Sequence, residues 1–428
     1  MHSHAPAAGG QRERDLAAQP QRGASDENNR GRSNRVHGGE GGNAIADNPG
    51  VTPPTLTTPP SLTSALAGHI REAIASGGGW IAFDRFMSLA LYTPGLGYYA
   101  NDSRKFGLMP AGVKGGGSDF VTAPELSPRF GQALARQVGQ ALDATATSEV
   151  WEFGAGSGAL AEQLLGALGP QLNRYTIVDL SGSLQARQRE RLAVWGDTVC
   201  WVSELPAQMQ GVVVGNEVLD AMPVQLLARI DGTWVERGVA VREGQFVHAD
   251  RPTALRPPLE VAASHNYLTE IHPQAEAFVA TLADRLQAGA AFLIDYGFPE
   301  HEYYHPQRSM GTLMCHRGHL VDADALQDVG EKDITAHVNF SGIALAGQQA
   351  GLQVLGYTSQ ARFLLNCGVL DGMEDAPLAE RVMVQKLINE HEMGELFKVI
   401  AFVVDSPERP WDGWQALGFA QGDRTHTL

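Results

Sequence analysis

The sequence predicts an α/β fold: a doubly wound, Rossmann-like parallel sheet with an N-terminal helical region and an antiparallel insert. Three observations lead to this prediction. Short apolar runs alternate with helical patterns in the middle of the chain, which is typical of a parallel sheet covered on both faces. A glycine-rich loop directly follows the first of these runs. Several later runs end at a polar residue, and ligands of such folds bind beyond the carboxyl ends of the strands.

The first part of the chain, residues 1–60, is predicted to be a disordered tail. It is rich in Gly, Ala, Asn, Arg and Pro, so it buries too little apolar surface to offset the loss of chain entropy. Its acidic and basic residues balance, so the net charge of −16 belongs to the rest of the chain. Such a surface repels phosphate backbones, which argues against a nucleic-acid partner and favours a protein substrate with a basic segment.

Composition also predicts the compartment. Three scattered cysteines argue against a disulfide framework and indicate a reducing environment. No run approaches the roughly 18 apolar residues of a membrane helix, and the N-terminus lacks the apolar run of a secretory signal. A cytoplasmic location without membrane association is therefore predicted. The oligomeric state is left open.

Residues 61–145 are predicted to form a helical and loop region that contributes to the active site. Apolar residues recur every four positions from Leu62 to Ile74, as on one face of a helix, and Gly77–Gly79 ends it. Two further helices are predicted, at 83–91 and 130–142.

Residues 146–428 are predicted to form the core, with an insert at about 225–270. The insert alternates polar and apolar residues around Asp231-Gly232 and Glu243-Gly244, which predicts hairpins. Helices are predicted at 160–168 and 275–286. The predicted strands are Val150–Phe153, Tyr175–Val178, Val212–Val214, Ala291–Ile294 and Leu396–Val404.

The loop after the first core strand predicts the cofactor. It reads Glu152-Phe153-Gly154-Ala155-Gly156-Ser157-Gly158. Its G-x-G-x-G spacing differs from the dinucleotide pattern G-x-G-x-x-G. Together with the acidic residue two positions before the first glycine, this spacing is typical of loops that bind S-adenosylmethionine (SAM). The predicted cofactor-binding residues of the loop are Glu152, Gly154, Ala155, Gly156 and Gly158; the alternative is a tight turn without a ligand.

Two more cofactor residues are predicted at strand ends. Asp179 follows the second strand, where an acidic residue accepts hydrogen bonds from ribose hydroxyls. The alternative role for Asp179 is a helix N-cap, since Ser181 and Gly182 follow. Asn216 ends the strand at 212–214.

Six ordered motifs give the chain a family resemblance. From about residue 62 to 405 it resembles the MidA-like methyltransferases, which include a mitochondrial arginine methyltransferase needed for assembly of respiratory complex I. Beside the glycine loop, the matching segments are Gly95-Leu96-Gly97-Tyr98-Tyr99, Asp119-Phe120-Val121-Thr122-Ala123-Pro124-Glu125-Leu126-Ser127, Asn216-Glu217-Val218-Leu219-Asp220-Ala221-Met222-Pro223-Val224, Ile294-Asp295-Tyr296-Gly297 and Asp333-Ile334-Thr335-Ala336-His337-Val338.

The resemblance implies the SAM-methyltransferase variant of the doubly wound sheet, with the antiparallel insert on the substrate side. It also implies methylation of a protein arginine, with a complex I subunit as first candidate. The chain departs from the family pattern at Ser118, which interrupts the usual Gly-Asp-Phe. It also departs at Asp179, where Glu is usual, and at Asn339, where an acid is usual; Asn339 is therefore given no catalytic role.

Three acids at strand ends are the predicted catalytic residues: Glu217, Asp220 and Asp295. An arginine acceptor would need carboxylates that clamp its guanidinium by paired hydrogen bonds and take its proton during transfer. The alternative for Glu217 and Asp220 is capping of the next helix, and for Asp295 a buried structural carboxylate. Tyr296 would lie over the donor or the acceptor, or pack in the core.

One motif points elsewhere. His301-Glu302-Tyr303-Tyr304-His305 spells the zinc motif H-E-x-x-H. A helix through both histidines is not expected, because Pro306 disfavours the α conformation at His305. No metal site is therefore predicted. Two other function classes remain open: a non-catalytic assembly factor that retains the fold, and a nucleotide-dependent oxidoreductase.

Overall fold

The computed structural model describes residues 62–101, 122–262, 265–317, 320–407 and 410–428. The predicted disordered tail, Ser118 and the start of the motif at Asp119 lie outside these residues. Within them the α-helices are α1 Leu62–Ser76, α2 Phe83–Tyr92, α3 Ala123–Leu126, α4 Pro128–Thr145, α5 Ala159–Leu168, α6 Gly182–Arg191, α7 Pro273–Arg285, α8 Glu300–Tyr303, α9 Phe340–Gln349, α10 Gln360–Asn366, α11 Leu378–Ile388 and α12 Met393–Leu396.

Strands make up three sheets within the same residues. The strands are β1 Ile81–Ala82, β2 Glu149–Phe153, β3 Arg174–Val178, β4 Val199–Val202, β5 Met209–Asn216, β6 Gln225–Ile230, β7 Thr233–Arg242, β8 Gln245–Pro252, β9 Tyr267–Ile271, β10 Leu286–Phe298, β11 Met314–Arg317, β12 Leu320–Asp322, β13 Asp333–Thr335, β14 Val338–Asn339, β15 Leu352–Ser359 and β16 Phe397–Val404. All five predicted core strands are confirmed, with ends that differ by a few residues.

The main sheet has the order β4-β3-β2-β5-β10-β16-β15, and β14 pairs with the end of β10. Strands β4, β3, β2, β5 and β10 run parallel, whereas β16 runs antiparallel between β10 and β15. Val212–Val214 is fully buried, as expected for a central strand covered on both faces. This is the predicted doubly wound sheet.

Helices cover both faces of the main sheet. On one face, apolar side chains of α4, α5 and α10 pack with Val212 and Val214. On the other face, side chains of α7 and α9 pack with Val213. Since neighbouring residues of a strand point to opposite faces, these two cores lie on either side of the sheet.

The predicted insert is a second, antiparallel sheet of order β1-β7-β6-β9, in which β8 pairs with β7. Its hairpin turns fall at Asp231-Gly232 and Glu243-Gly244, as predicted, and all four residues have positive φ angles. Helices α1 and α2 pack against this sheet in one apolar core with Leu226 and Val239. The N-terminal helices therefore pack with the insert.

The H-E-x-x-H segment is not a continuous helix. Helix α8 ends at Tyr303, and His305 lies beyond it, outside any helix. The prediction against a helix through both histidines is therefore confirmed. The described residues contain no group of three or more His, Cys, Asp or Glu side chains placed to hold a metal ion. No helix among them has the length and apolar composition needed to cross a bilayer.

Candidate active site

A cavity of about 820 Å³ lies at the carboxyl ends of β2, β3 and β5. Its wall combines these strand ends with residues of α2, the turn after it, and α3. Gly158 and Asp295 are the predicted site residues that do not line it. Those that do are Glu152, Gly154, Ala155, Gly156, Asp179, Asn216, Glu217 and Asp220.

The glycine loop has the backbone of a ligand cradle. Gly154, Gly156 and Gly158 have φ angles of 63°, 53° and 82°, a region that glycine enters without a steric penalty. Gly158 precedes α5 and donates its N–H to the Ala155 carbonyl at 2.7 Å. Gly158 thus shapes the turn, while Gly154 and Gly156 border the cavity itself.

Two side chains outside the loop, Glu125 and Arg191, contact Ser157 within it, and neither was predicted from the sequence as a site residue. Ser157 donates its hydroxyl to Glu125, which lies in the cavity wall. Arg191 donates to Ser157 Oγ at 2.8 Å and to Glu162 at 2.7 Å, and it lies 3.6 Å from Glu125. Glu125 belongs to a motif that was identified in the sequence, Thr-Ala-Pro-Glu. Its contact with the glycine loop is seen only in the structure.

Glu152 is 2% exposed and lines the cavity. Its Oε2 accepts a hydrogen bond from the Tyr175 hydroxyl at 2.8 Å. Burial raises the pKa of this carboxyl to about 8, against the opposing effect of the Tyr175 bond. A cationic ligand group beside Glu152 would therefore draw it into its charged form.

Asp179 is buried at the end of β3 and borders the cavity. Its two carboxylate oxygens accept from the Ser181 backbone N–H and from Gln188 Nε2, both at 2.8 Å. The N-cap of α6 is Ser181, whose hydroxyl accepts from Leu184 N. Asp179 is therefore not the helix cap that the alternative reading proposed. Each of its oxygens keeps a second lone pair for a ligand hydroxyl.

Asn216 and Glu217 form the turn that leaves β5. Asn216 donates Nδ2 to Glu217 Oε1 at 3.0 Å, while its buried Oδ1 has no hydrogen-bond partner among the described residues. Glu217 has a φ of 55°, uncommon for a residue other than glycine. Burial, and secondly the Asp220 charge, raise the pKa of Glu217 to about 8.

Asp220 and Asp295 have different surroundings. Asp220 lines the cavity; Oδ2 accepts from the Tyr296 hydroxyl, and buried Oδ1 has no partner among the described residues. Burial raises its pKa to about 6. Asp295 is 0% exposed, and its carboxylate accepts the backbone N–H groups of Val218, Leu219, Asp220 and Tyr296 at 2.9–3.2 Å. This geometry therefore argues against direct contact between Asp295 and a substrate.

Neither Glu217 nor Asp220 caps a regular helix, because residues 217–224 form turns between β5 and β6. Asp295 instead matches the alternative of a buried structural carboxylate. Tyr296 lies beside Asp220 and packs edge-on against Phe397 at 5.3 Å, so it supports the acid from within the core.

Tyr92, Tyr99 and Asp333 lie near these acids and were not predicted as site residues. Tyr92 and Tyr99 line the cavity, and the Tyr99 hydroxyl donates to Asp333 at 2.7 Å. Tyr99 and Asp333 lie in quoted motifs, but 234 positions separate them along the chain. A contact between residues so far apart in the sequence cannot be predicted from local patterns.

The cavity is acidic. Among the described residues that line it, five are Asp or Glu and none is Lys, Arg or His. A ligand that carries positive charge would offset this excess, whereas an anionic acceptor would be repelled.

The residues present fit SAM. The positive-φ glycines let a ligand approach the backbone, Asp179 offers acceptors for ribose hydroxyls, and the unpartnered Asn216 Oδ1 offers an acceptor for a donor group. Glu152 supplies a carboxyl that a ligand ammonium would ionise. SAM is a cation with an ammonium group and a ribose, and it has no pyrophosphate for a helix N-terminus to bind.

Fold and site together define a SAM-dependent methyltransferase, and comparison with known proteins agrees. Residues 133–358, more than half of the chain, match the family described as "Putative S-adenosyl-L-methionine-dependent methyltransferase". The chain belongs to this family. The oxidoreductase and the non-catalytic factor considered from the sequence are therefore set aside.

Two crystal structures from Burkholderia thailandensis are similar over 89% of this chain and 100% of theirs. One, of a protein regarded as a methyl transferase and bound to S-adenosyl-homocysteine, has 51% sequence identity and a TM-score of 0.80. The other, a native structure of an uncharacterized protein of the same superfamily, has 50% identity and a TM-score of 0.77.

Curated relatives carry the name protein arginine methyltransferase NDUFAF7, mitochondrial. The relative from Danio rerio is 27% identical over 79% of this chain and 86% of its own length. A homolog from Caenorhabditis elegans is 24% identical over 75% of this chain and 79% of its own. These names contradict the predicted cytoplasmic location, so that prediction is wrong. Unpaired cysteines indicate a reducing compartment, and the cytoplasm is not the only compartment of that kind.

Proposed function

We propose that this methyltransferase transfers the methyl group of SAM to an arginine side chain of a protein. The observation that carries the proposal is the acidic cavity, in which Glu217 and Asp220 lie beside the donor loop without a lining cation among the described residues. The relatives named as arginine methyltransferases support the same acceptor. A subunit of respiratory complex I is the first candidate, on the resemblance drawn from the sequence motifs.

The cofactor-binding roles are part of this proposal. Asp179 binds the ribose hydroxyls, Glu152 and Asn216 bind the polar end of the donor, and the backbone of Gly154, Ala155 and Gly156 borders it. Gly158 shapes the turn into α5. The N-terminal region, residues 61–145, adds Tyr92, Tyr99 and Glu125 to the wall, so it and the core at 146–428 build one site.

Glu217 and Asp220 would bind the acceptor. When bound, SAM supplies a methyl group on a sulfonium, which an acceptor nitrogen displaces in line. Asp220 Oδ1, which has no partner among the described residues, accepts one guanidinium N–H, and Glu217 accepts another. The Asp220 bond draws the positive charge toward the nitrogen that it holds, and the Glu217 bond orients the attacking nitrogen.

The proton released by the acceptor goes to a carboxylate. As the new C–N bond forms and the C–S bond breaks, the attacking nitrogen loses a proton. Glu217, whose pKa is raised to about 8, is the stronger base of the two acids. An arriving guanidinium ionises it first by its own charge, so the base is generated where the acceptor binds.

Asp295 acts through the turn rather than on the substrate. Its Oδ2 accepts the consecutive N–H groups of residues 218–220 and so fixes the backbone on which both acids stand. It also stabilises the positive φ of Glu217, a conformation that costs free energy and persists where its surroundings determine it. We therefore propose a positioning role for Asp295 instead of the catalytic role predicted from the sequence.

The test is labelling of a lysate. The protein is incubated with methyl-labelled SAM and lysate from a strain that lacks it, and labelled sites are located by mass spectrometry. We expect label on arginine, reduced at least about 100-fold by Glu217→Gln or Asp220→Asn, as is usual when a proton-transfer group is removed. The exposed Glu260 gives the matched control, Glu260→Gln, which should label normally.

SAM binding is measured for every variant to show that the fold is intact. Label confined to small molecules, or protein label only on lysine, would refute the arginine proposal while leaving the methyltransferase assignment in place.

A further inference from the structure

Two tyrosines lie side by side in the cavity wall. Tyr92 ends α2 and Tyr99 lies in the turns that follow. Their ring centroids are 5.6 Å apart with an interplanar angle of 23°, so the rings are stacked. Behind them, fully buried Tyr98 packs edge-on against Tyr99 at 5.0 Å. The pair is therefore supported by the core rather than loose in the cavity.

Both tyrosine hydroxyls are taken by protein acceptors. Tyr92 donates to the Ala221 carbonyl at 2.8 Å, and Tyr99 donates to the two carboxylate oxygens of Asp333 at 2.7 and 2.8 Å. Burial raises the pKa of each phenol above its ordinary value, so both are neutral at physiological pH. What these side chains offer a ligand is therefore ring carbon surface rather than a hydroxyl or a charge.

The tyrosine pair borders the acids. Ala221 directly follows Asp220 in the chain, so the Tyr92 bond holds that ring next to the Asp220 backbone. Asp333, the partner of Tyr99, lies close enough to Glu217 to raise its pKa further. Aromatic surface and carboxylates thus meet at one end of the cavity.

We propose that Tyr92 and Tyr99 form an aromatic wall that selects a planar cation as methyl acceptor, stacked against the rings while Glu217 and Asp220 bind its N–H edge. The proposal rests on the proposed function and narrows its acceptor chemistry. A guanidinium is flat and weakly hydrated on its faces, so it stacks on aromatic rings, whereas an ammonium is compact and keeps its water. Carboxylates alone attract both cations, so the wall is what separates arginine from lysine.

Asp333 serves this wall as a positioning residue. It is 1% exposed and does not line the cavity, and its carboxylate holds the Tyr99 hydroxyl. Removing that acceptor with Asp333→Ala frees the ring end, and the selectivity for arginine should fall. Asp333→Asn keeps one acceptor oxygen and should rescue much of that selectivity.

The experiment measures binding of small probes to the protein saturated with S-adenosyl-homocysteine. The probes are the Nα-acetyl methylamides of arginine, lysine and citrulline, the last a neutral analogue of arginine, titrated by calorimetry. Wild type should bind the arginine probe at least about tenfold more tightly than the other two. Tyr99→Leu and Tyr92→Leu should each weaken arginine binding about tenfold, as expected for loss of a desolvated cation–π contact.

The controls separate ring from hydroxyl. Tyr99→Phe keeps the ring but loses the bond to Asp333, so it should weaken arginine binding no more than Asp333→Ala does and less than Tyr99→Leu does. S-adenosyl-homocysteine affinity should be unchanged in all variants, which shows that the donor half is intact.

Arginine binding that survives both leucine substitutions would overturn the proposal. So would equal losses for lysine and arginine, or no preference for arginine in wild type. The outcome is independent of the labelling test: arginine label with an unchanged KM in Tyr99→Leu refutes the wall alone, whereas label on another acceptor refutes the proposed function.

Discussion

Asp179 directly follows β3 and Asp295 lies near the end of β10, yet their carboxylates have different partners. Asp295 accepts four backbone N–H groups and is closed off from the cavity. Asp179 accepts one backbone and one side-chain N–H and borders the cavity. The role of an acid at a strand end thus depends on how many of its lone pairs the protein has already used.

At Asp179 we expect Asp179→Ala to weaken SAM binding by roughly 1.5–3 kcal/mol, the usual range for hydrogen bonds to a charged group. The substitution also deprives Ser181 N and Gln188 of an acceptor. Asp179→Asn is the control, because its oxygen can still accept from Ser181 N. Isothermal titration of each variant gives the affinities, and thermal melts check the fold. Normal SAM affinity in the alanine variant would show that the ribose is held elsewhere.

The glycine loop shows how an element, rather than a single side chain, makes a binding surface. Its backbone turns three times through positive φ between β2 and α5. A ligand can therefore approach peptide groups directly, and no side chain at these glycines stands between them.

We expect Gly156→Val to abolish measurable SAM binding, because a branched side chain is strained at a φ of 53° and occupies space beside the ligand. The matched control is Gly166→Val on the exposed face of α5, where an added Cβ meets nothing within 4 Å. Calorimetry with SAM and S-adenosyl-homocysteine compares the two. Unchanged SAM affinity in a folded Gly156→Val protein would show that the glycine loop does not bind SAM.

The H-E-x-x-H segment is an element whose sequence suggests one chemistry and whose structure shows another. Its two tyrosines are buried and their hydroxyls bind the antiparallel sheet, whereas His301 and His305 are exposed. Tyr303 donates to Glu270 at 2.8 Å and lies 3.0 Å from His272 Nε2, while Tyr304 donates to the Glu270 carbonyl at 3.1 Å. The segment therefore attaches the loop after β10 to the antiparallel sheet.

At the scale of the whole molecule, buried acids make stability depend on pH. Burial raises the pKa of Glu152 from an ordinary 4.5 to about 8, so its contribution is fully present below about pH 4.5 and is lost as the pH rises toward 8. The free energy of unfolding of the ligand-free protein should therefore fall between pH 5.5 and 8. The slope from this one group is at most about 1.4 kcal/mol per pH unit.

The measurement is urea denaturation at several pH values in that range. Glu152→Gln should reduce the slope, because glutamine keeps an acceptor for Tyr175 and carries no titrating proton. Some slope should remain, since the pKa of Glu217 is also raised to about 8. Glu260→Gln, at an exposed position, should leave it unchanged. A wild-type free energy of unfolding that rises or stays level from pH 5.5 to 8 would contradict the raised pKa of Glu152.

Local patterns predicted the parts of this molecule that are local. Apolar runs such as Val212–Val214 predicted strands, and Asp231-Gly232 predicted a hairpin turn, because each depends on neighbouring residues. The antiparallel insertion of β16 between β10 and β15 was not predictable, since β15 and β16 are separated by helices α10 to α12.

The site shows the same division. The position of the glycine loop and of Asp179 beside a cavity could be predicted because they directly follow strands. The partners of Asp333 and Asp295 could not, because tertiary packing alone brings Asp333 to Tyr99 and Asp295 to the turn after β5. Distinguishing a structural carboxylate from a reactive one required those contacts.

Residues 217–224 form the passage from the main sheet to the antiparallel one, and they carry both proposed acceptor acids. Three groups fix this passage by hydrogen bonds: the Asp295 carboxylate, the Ala336 N–H and the Tyr92 hydroxyl. Its length is therefore not free to vary: adding or removing one residue would displace an acid. The exposed hairpin turn at Glu243-Gly244 carries no proposed site residue. Exposed loop tips of this kind tolerate inserted sequence. An epitope or fluorophore placed there would let the enzyme be followed in cells while its chemistry is preserved.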